Sequence, residues 1–165
     1  MAENPVVTSV KKINTCINMN LNNNNINLQE LINGNIEELS DGALTNINSY
    51  AFYGCKSLTS IDLPACTSIG NNSFENCRTL TSIDLPVCTS IGDSAFDDCT
   101  KLTSIKLANT SKICTLSDSN AFNNTPIANK AGYIYVPDEL VEQYKKSTNW
   151  SVYASQIKPL SEYTE

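Results

Sequence analysis

Histidine is absent from this sequence. That removes the imidazole general base, the triads built on it and the HExxH metal motif. No CxxC pair occurs either, so a zinc site has too few ligands in a workable arrangement. There is no GxGxxG or Walker loop to cradle phosphates, and the aspartates never take the DxDxDG spacing of a calcium loop. Basic residues are scarce, 11 Lys and Arg against 17 Asp and Glu in 165 residues, and they form no stripe. With a formal charge of -6, nucleic acid is disfavoured as a partner. No apolar run approaches the roughly 20 residues of a membrane helix. The opening residues, MAENPVVTSVKK, lack the charged and apolar regions of a signal peptide. The protein is therefore expected to work where it is made, to leave by another route, or to follow a leader outside this stretch. No catalytic residue, cofactor or metal is expected.

What the chain does have is repetition. Residues 58–79 read LTSIDLPACTSIGNNSFENCRT and residues 80–101 read LTSIDLPVCTSIGDSAFDDCTK, identical at 14 of 22 positions without a gap. A fixed period in the twenties marks a repeat array, in which each copy buries its apolar face only by stacking on its neighbours. Within a copy, Leu58, Ile61 and Leu63 point inward and the residues between them outward, as a strand's period of two requires. Pro64 ends the strand because it cannot donate to a ladder. Cys66 turns the chain, Ile69 makes a second inward contact, and Gly70 is expected to supply a backbone angle that a side chain resists. Phe74 then fills the wide end of the coil on a short helical or 3-10 turn, and Cys77 closes it.

Five of the seven cysteines, Cys55, Cys66, Cys77, Cys88 and Cys99, lie eleven residues apart. Disulfide frameworks and metal sites keep no such regular interval. The spacing reads as small buried core residues, and all seven thiols are expected to react only after unfolding. Stacked cysteines of adjacent copies could still approach disulfide distance.

The ends depart from the repeat. Residues 17–21 alternate apolar residues with asparagine and suggest a strand. Residues 27–34 have the capping pattern of one short helix, with Asn27 and Glu30 at its start and Gly34 at its stop. A worn first copy spans 36–57. Asp41 replaces the leucine there, predicting a distorted or edge-like strand, and Tyr50 and Tyr53 flank Phe52, either covering the core's end or offering contact area, with covering preferred. In the copy that opens at Leu102, Leu107 and Ile113 are in phase, Thr110 replaces the turning cysteine, and four residues are inserted between Ile113 and Phe122. The tail predicts a strand at YIYV stopped by Pro137, a helix capped by Asp138 with Lys145 and Lys146 near its end, a packing anchor at Trp150, and a last extended piece at 157–160.

The repeated LTSI(D/K)L, the IG pairs at Ile69–Gly70 and Ile91–Gly92, and the (A/S)FxxC blocks resemble the BspA-like leucine-rich repeats of bacterial surface proteins. The tail YVPDELVEQYKKSTNWSVYASQI is similar to the cap that often follows such arrays. The resemblance implies a single α/β solenoid over 1–165. It would be a right-handed superhelix with short parallel strands on the concave face and turns on the convex face. The expected bounds are an N-terminal cap at 1–35, about four repeats of 22–26 residues at 36–126 and a C-terminal cap at 127–165. It further implies a non-enzymatic protein-binding or adhesion module, at the cell surface or secreted. Similar repeats in phage proteins leave a structural or receptor-recognition part of a particle, or a cytoplasmic protein, as the alternative. The expected partner is a protein or glycan, and the expected state a monomer. The concave rows would be Ser60, Ser82 and Ser104 beside Asp62, Asp84 and Lys106. A solvated strand face copied by duplication is the simpler reading of those rows; a shallow polar site for a cation-bearing or hydroxyl-rich partner is the other.

Overall fold

The computed structural model describes residues 9–10, 38–40 and 44–164. The strand expected at 17–21, the helix at 27–34, Cys16 and Asp41 lie outside the described residues. Strands β1 (Ser9–Val10), β2 (Glu38–Ser40), β4 (Ser60–Asp62), β6 (Ser82–Asp84), β8 (Ser104–Lys106), β10 (Tyr133–Val136) and β11 (Ile157–Pro159) form one sheet in that order. A second sheet holds β3 (Asn46–Ile47), β5 (Ser68–Ile69), β7 (Ser90–Ile91) and β9 (Thr115–Leu116). All pairings are parallel except β1 with β2. The chain is an α/β solenoid, each coil crossing from the larger sheet to the smaller and back. β2 is flanked by β1 and β4, so of the distorted or edge-like strand expected there the edge-like alternative does not hold.

The repeat period becomes a set of ladders through the core. Leu63, Leu85 and Leu107 are wholly buried, as are Leu58, Leu80 and Leu102, with Ile61, Ile83 and Ile105 beside them. Pro64 follows β4, and Cys66 N–H closes the turn onto Leu63 O at 3.1 Å. Phe52, Phe74, Phe96 and Phe122 stack with centroids 5.1, 5.4 and 5.5 Å apart and planes within 5°. Truncating one such buried ring costs about 3–5 kcal/mol, because both neighbours lose a face. A third set of inter-coil bonds runs beside the rings: Phe52 N–H to Ser73 O, Phe74 N–H to Ala95 O and Phe96 N–H to Ala121 O, at 2.7–2.9 Å.

Gly70 does not adopt a left-handed angle. Among the described glycines only Gly54 does, at φ 72°. A Cβ on Gly70 would instead lie 2.5 Å from Ser49 N and 2.8 Å from Ile47 O, and one on Gly92 would meet Asn71 N at 2.5 Å. Glycine is needed there for close approach between coils. The left-handed turns fall to Asn72, Asn76, Ser94 and Asp98, of which asparagine and aspartate tolerate that region best. Tyr50 occupies the equivalent position at φ 62°, is 48% exposed and has its ring 5.9 Å from that of Tyr53. Tyr50 is thus half-exposed, beside a half-buried Tyr53.

The last full coil differs from its expected register. Leu116, not Ile113, pairs with Ile91, so part of the insertion falls before β9. Cys114, not Thr110, takes the ladder place beyond Cys88, with the two sulfurs 3.8 Å apart. The cap then ends the smaller sheet with side chains where the next strand's backbone would be. Tyr144 OH accepts from Cys114 N–H at 2.8 Å, Trp150 Nε1 donates to Cys114 O at 2.7 Å, and Asn149 Nδ2 donates to Leu116 O at 2.9 Å and Ser117 O at 3.0 Å. An edge strand buried without such partners would strand its polar groups. Trp150 also meets Phe122 at 6.0 Å and Tyr144 at 5.4 Å, closing the aromatic stack. Helix α1 (Val141–Lys146) carries Lys145 and Lys146 in its last turn as expected, but Asp138 does not cap it. Its Oδ1 accepts from Ser161 N–H at 3.1 Å and pins the C-terminal segment; hydrogen bonding from the Ser161 side chain, then from its backbone amide, holds that carboxyl below its ordinary range.

The cysteines divide into two ladders. Cys77 and Cys99 donate to Phe52 O and Phe74 O at 3.1 and 3.0 Å; Cys66 and Cys88 donate to Ser68 O and Ser90 O at 3.3 Å. Cys66, Cys77, Cys88, Cys99 and Cys114 are free and buried. Cys55 is buried too but disulfide-bonded, which corrects the expectation of seven free thiols.

Candidate functional site

The outward positions of the larger sheet form two rows. Ser82 lies opposite Ser104, and Ser104 opposite Tyr133. Asp62 lies opposite Asp84, Asp84 opposite Lys106, Lys106 opposite Tyr135, and Tyr135 opposite Lys158. The parallel register carries Ser60 into the first row, and the backbone places Glu38 and Ser40 at the next positions of the two rows. The six candidate residues Ser60, Asp62, Ser82, Asp84, Ser104 and Lys106 therefore share one face. They do so because β4, β6 and β8 keep the 22-residue period without a slip, and a one-residue slip would turn every one of them inward.

Charge on this face is arranged along the second row. Strand spacing brings Asp62 and Asp84 together, and Lys106 Nζ sits 2.5 Å from Asp84 Oδ2. Both side chains remain partly exposed, so the pair contributes only about 0.2–1 kcal/mol. Lys106 Nζ also lies 4.7 Å from the centre of the Tyr163 ring.

Tyr163 is the residue that makes this end of the face concave locally. It follows β11 and lies against Tyr135 edge-on, with centroids 4.9 Å apart. Tyr133 stands 6.2 Å from Tyr135 and is 42% exposed, with Lys158 Nζ 5.9 Å from its ring. Burial, then the neighbouring Tyr133 and Tyr163, raise the Tyr135 hydroxyl above its ordinary range, keeping it a neutral donor. Under Tyr163 is a small pocket of about 130 Å³, lined by Ser60, Ser82, Asp84, Ser104 and Lys106 over a floor that includes Ile83. The hydroxyls of the three serines make no hydrogen bond among the described residues.

The three tyrosines are functional candidates that the repeat pattern does not single out. Tyr133 and Tyr135 had a signal: in YIYV they alternate with Ile134 and Val136, both wholly buried, so the period of two puts them outside. Tyr163 had none, since only folding of the tail brings it to this face. A second, wider recess of about 530 Å³ lies at the cap, between β9 and α1, where Leu116, Gln143, Lys146 and Trp150 meet.

Among the described residues no group of three His, Cys, Asp or Glu side chains is placed to hold a metal ion. No helix among them is long and apolar enough to cross a membrane. No curated protein matches the chain. The BspA type leucine rich repeat region matches residues 24–141 in six copies, most of the chain's length. The strand ladders, the phenylalanine stack and that match agree: the chain belongs to the BspA-type leucine-rich repeat family, whose repeats form protein-interaction modules.

Proposed function

We propose that this protein is a non-enzymatic adhesion module that binds its partner on the outer face of the larger sheet. The proposed contacts are Ser60, Asp62, Ser82, Asp84, Ser104 and Lys106, with Tyr133, Tyr135 and Tyr163 as the aromatic end of the same surface. The observation that carries the reading is the meeting, on one continuous face, of two unbroken polar rows with an aromatic cluster in which Tyr133 is exposed and Tyr135 and Tyr163 are half-buried. Exposed tyrosines supply large contact area at low conformational cost, and polar neighbours supply direction. Family membership supports protein interaction as the mode of action. The bacterial cell surface as its setting, and a monomeric state, belong to the same proposal.

Binding of the purified protein to extracellular-matrix-coated surfaces tests this. Asp62→Asn with Asp84→Asn should weaken attachment, whereas Asn124→Ala, an exposed turn residue away from this sheet, should leave it unchanged. Equal attachment by the carboxylate variant and the parent protein would place the partner elsewhere.

A further inference from the structure

We infer that the pocket beneath Tyr163 is a subsite for one neutral sugar residue of a glycan; this rests on the outer-face reading above and names its ligand class. Three features of the pocket point the same way.

The first is charge. Among the described residues Asp84 and Lys106 are the charged side chains lining the pocket, and they are bonded to each other at 2.5 Å. Their charges cancel locally. An ionic ligand would have to compete with that pair, whereas a neutral hydroxyl can accept from the ammonium or donate to the carboxylate without parting them. The second is hydrogen-bonding capacity. Ser60, Ser82 and Ser104 present hydroxyls from three successive strands, and each can donate and accept. With strands spaced about 4.8 Å apart, the row is roughly 10 Å long. A polyol is the ligand whose groups also donate and accept at every position. The third is the wall. The Tyr163 ring, with Lys106 Nζ 4.7 Å from its centre, offers apolar ring carbons beside that cation against which the C–H groups of a sugar ring pack. Its place is held by the edge-on contact with Tyr135 and by the anchoring of Ser161 to Asp138.

Size sets the scale of the ligand. At about 130 Å³ the pocket is far smaller than the several hundred Å³ of a typical small-molecule site. It accommodates one ring and leaves the rest of a glycan to run along the polar rows. Affinity for a lone monosaccharide is accordingly weak, and strength of attachment comes from many modules on one surface.

The test is an NMR titration of the isotopically labelled full chain with three classes of probe: methyl glycosides of glucose, galactose and N-acetylglucosamine as neutral sugars, N-acetylneuraminic acid as an anionic one, and an N-acetylated arginine amide as a cationic peptide side chain. A neutral glycoside should shift the amides around Ser82, Ser104, Lys106 and Tyr163. Tyr163→Ala should weaken that binding roughly fivefold or more, Tyr163→Phe should retain it, and Ser82→Ala with Ser104→Ala should reduce it. Resonances elsewhere report that each variant is folded. Absence of shifts with every neutral glycoside, or binding unchanged in Tyr163→Ala, overturns the inference. Shifts at this pocket with the arginine amide or the acid alone overturn it as well, while leaving the outer face as the binding surface. Failure of that broader reading is registered separately, by the carboxylate variant in the attachment assay.

Discussion

Replacing Ser73 with alanine should stabilise the protein. Ser73 is wholly buried, and its hydroxyl has no hydrogen-bond partner. The same place in the other coils is held by Ala51, Ala95 and Ala121, all wholly buried. The equivalence is structural: Ser73, Ala95 and Ala121 each accept, through the backbone carbonyl, the amide of the preceding coil's phenylalanine. A buried hydroxyl left without a partner costs about 1–3 kcal/mol in proteins. Removing one oxygen leaves little void, so a net gain of about 1 kcal/mol is expected, equivalent to a rise of roughly 2–4 °C in Tm for a domain of this size. Urea unfolding followed by both circular dichroism and Trp150 fluorescence measures it, and agreement of the two probes checks that the array unfolds as a unit. The reciprocal Ala95→Ser should cost a similar amount. A Ser73→Ala protein less stable than its parent would refute the reasoning, as would an Ala95→Ser protein of unchanged stability.

Gly70→Ala should destabilise by several kcal/mol or prevent folding, since its Cβ would meet backbone at 2.5–2.8 Å and neither coil can retreat alone; thermal melting reads this, and a variant as stable as the parent would show the coils more yielding than their packing implies. Titration with a thiol reagent should find Cys66, Cys77, Cys88, Cys99 and Cys114 unreactive in the native protein and reactive after denaturation without reductant; labelling of Cys55 under the same conditions, located by peptide mapping, would mean that it is not bridged. Alkaline pH should weaken the fold through Cys66, whose thiol is pushed by burial, then by neighbouring Cys88, from 9.0 up to about 12. The unfolded chain loses that proton first, so the stability this thiol contributes is complete below pH 9 and declines between pH 9 and about 12, by up to ~1.4 kcal/mol per pH unit. Urea midpoints measured across that range should fall less steeply in Cys66→Ala; equal slopes would count against it.

The repeat itself was open to direct reading from the residues. Leucines, isoleucines, the phenylalanine and the cysteine recur at one interval, and only a stacked coil buries all of them at once, so Leu58, Ile61, Leu63 and Phe74 could be assigned to the core before any coordinates. The same period put Ser60, Asp62, Ser82, Asp84, Ser104 and Lys106 on one outer face, because alternation along a strand leaves no other place for them. Where the period breaks, local reading lost its guide. Ile113 was in phase by counting, yet Leu116 and Cys114 take the ladder places, since inserted residues go wherever the coil can bulge. Gly70 illustrates a different limit: the residue type signals a constraint but not whether the constraint is its own backbone angle or the neighbouring coil.

Tertiary structure alone decided how the smaller sheet ends and where Tyr163 lies. Side chains of Tyr144, Asn149 and Trp150 complete the hydrogen bonds of β9, contacts 30 to 36 residues apart that no local pattern encodes. Tyr163 meets Lys106 and Tyr135 because β11 lies in the sheet and Asp138 anchors Ser161. Short-range periodicity is written into the order of the residues, because each copy repeats the same inward and outward choice. A pocket assembled from a repeat face and a distant tail depends on where the chain returns, and that is settled by packing in three dimensions.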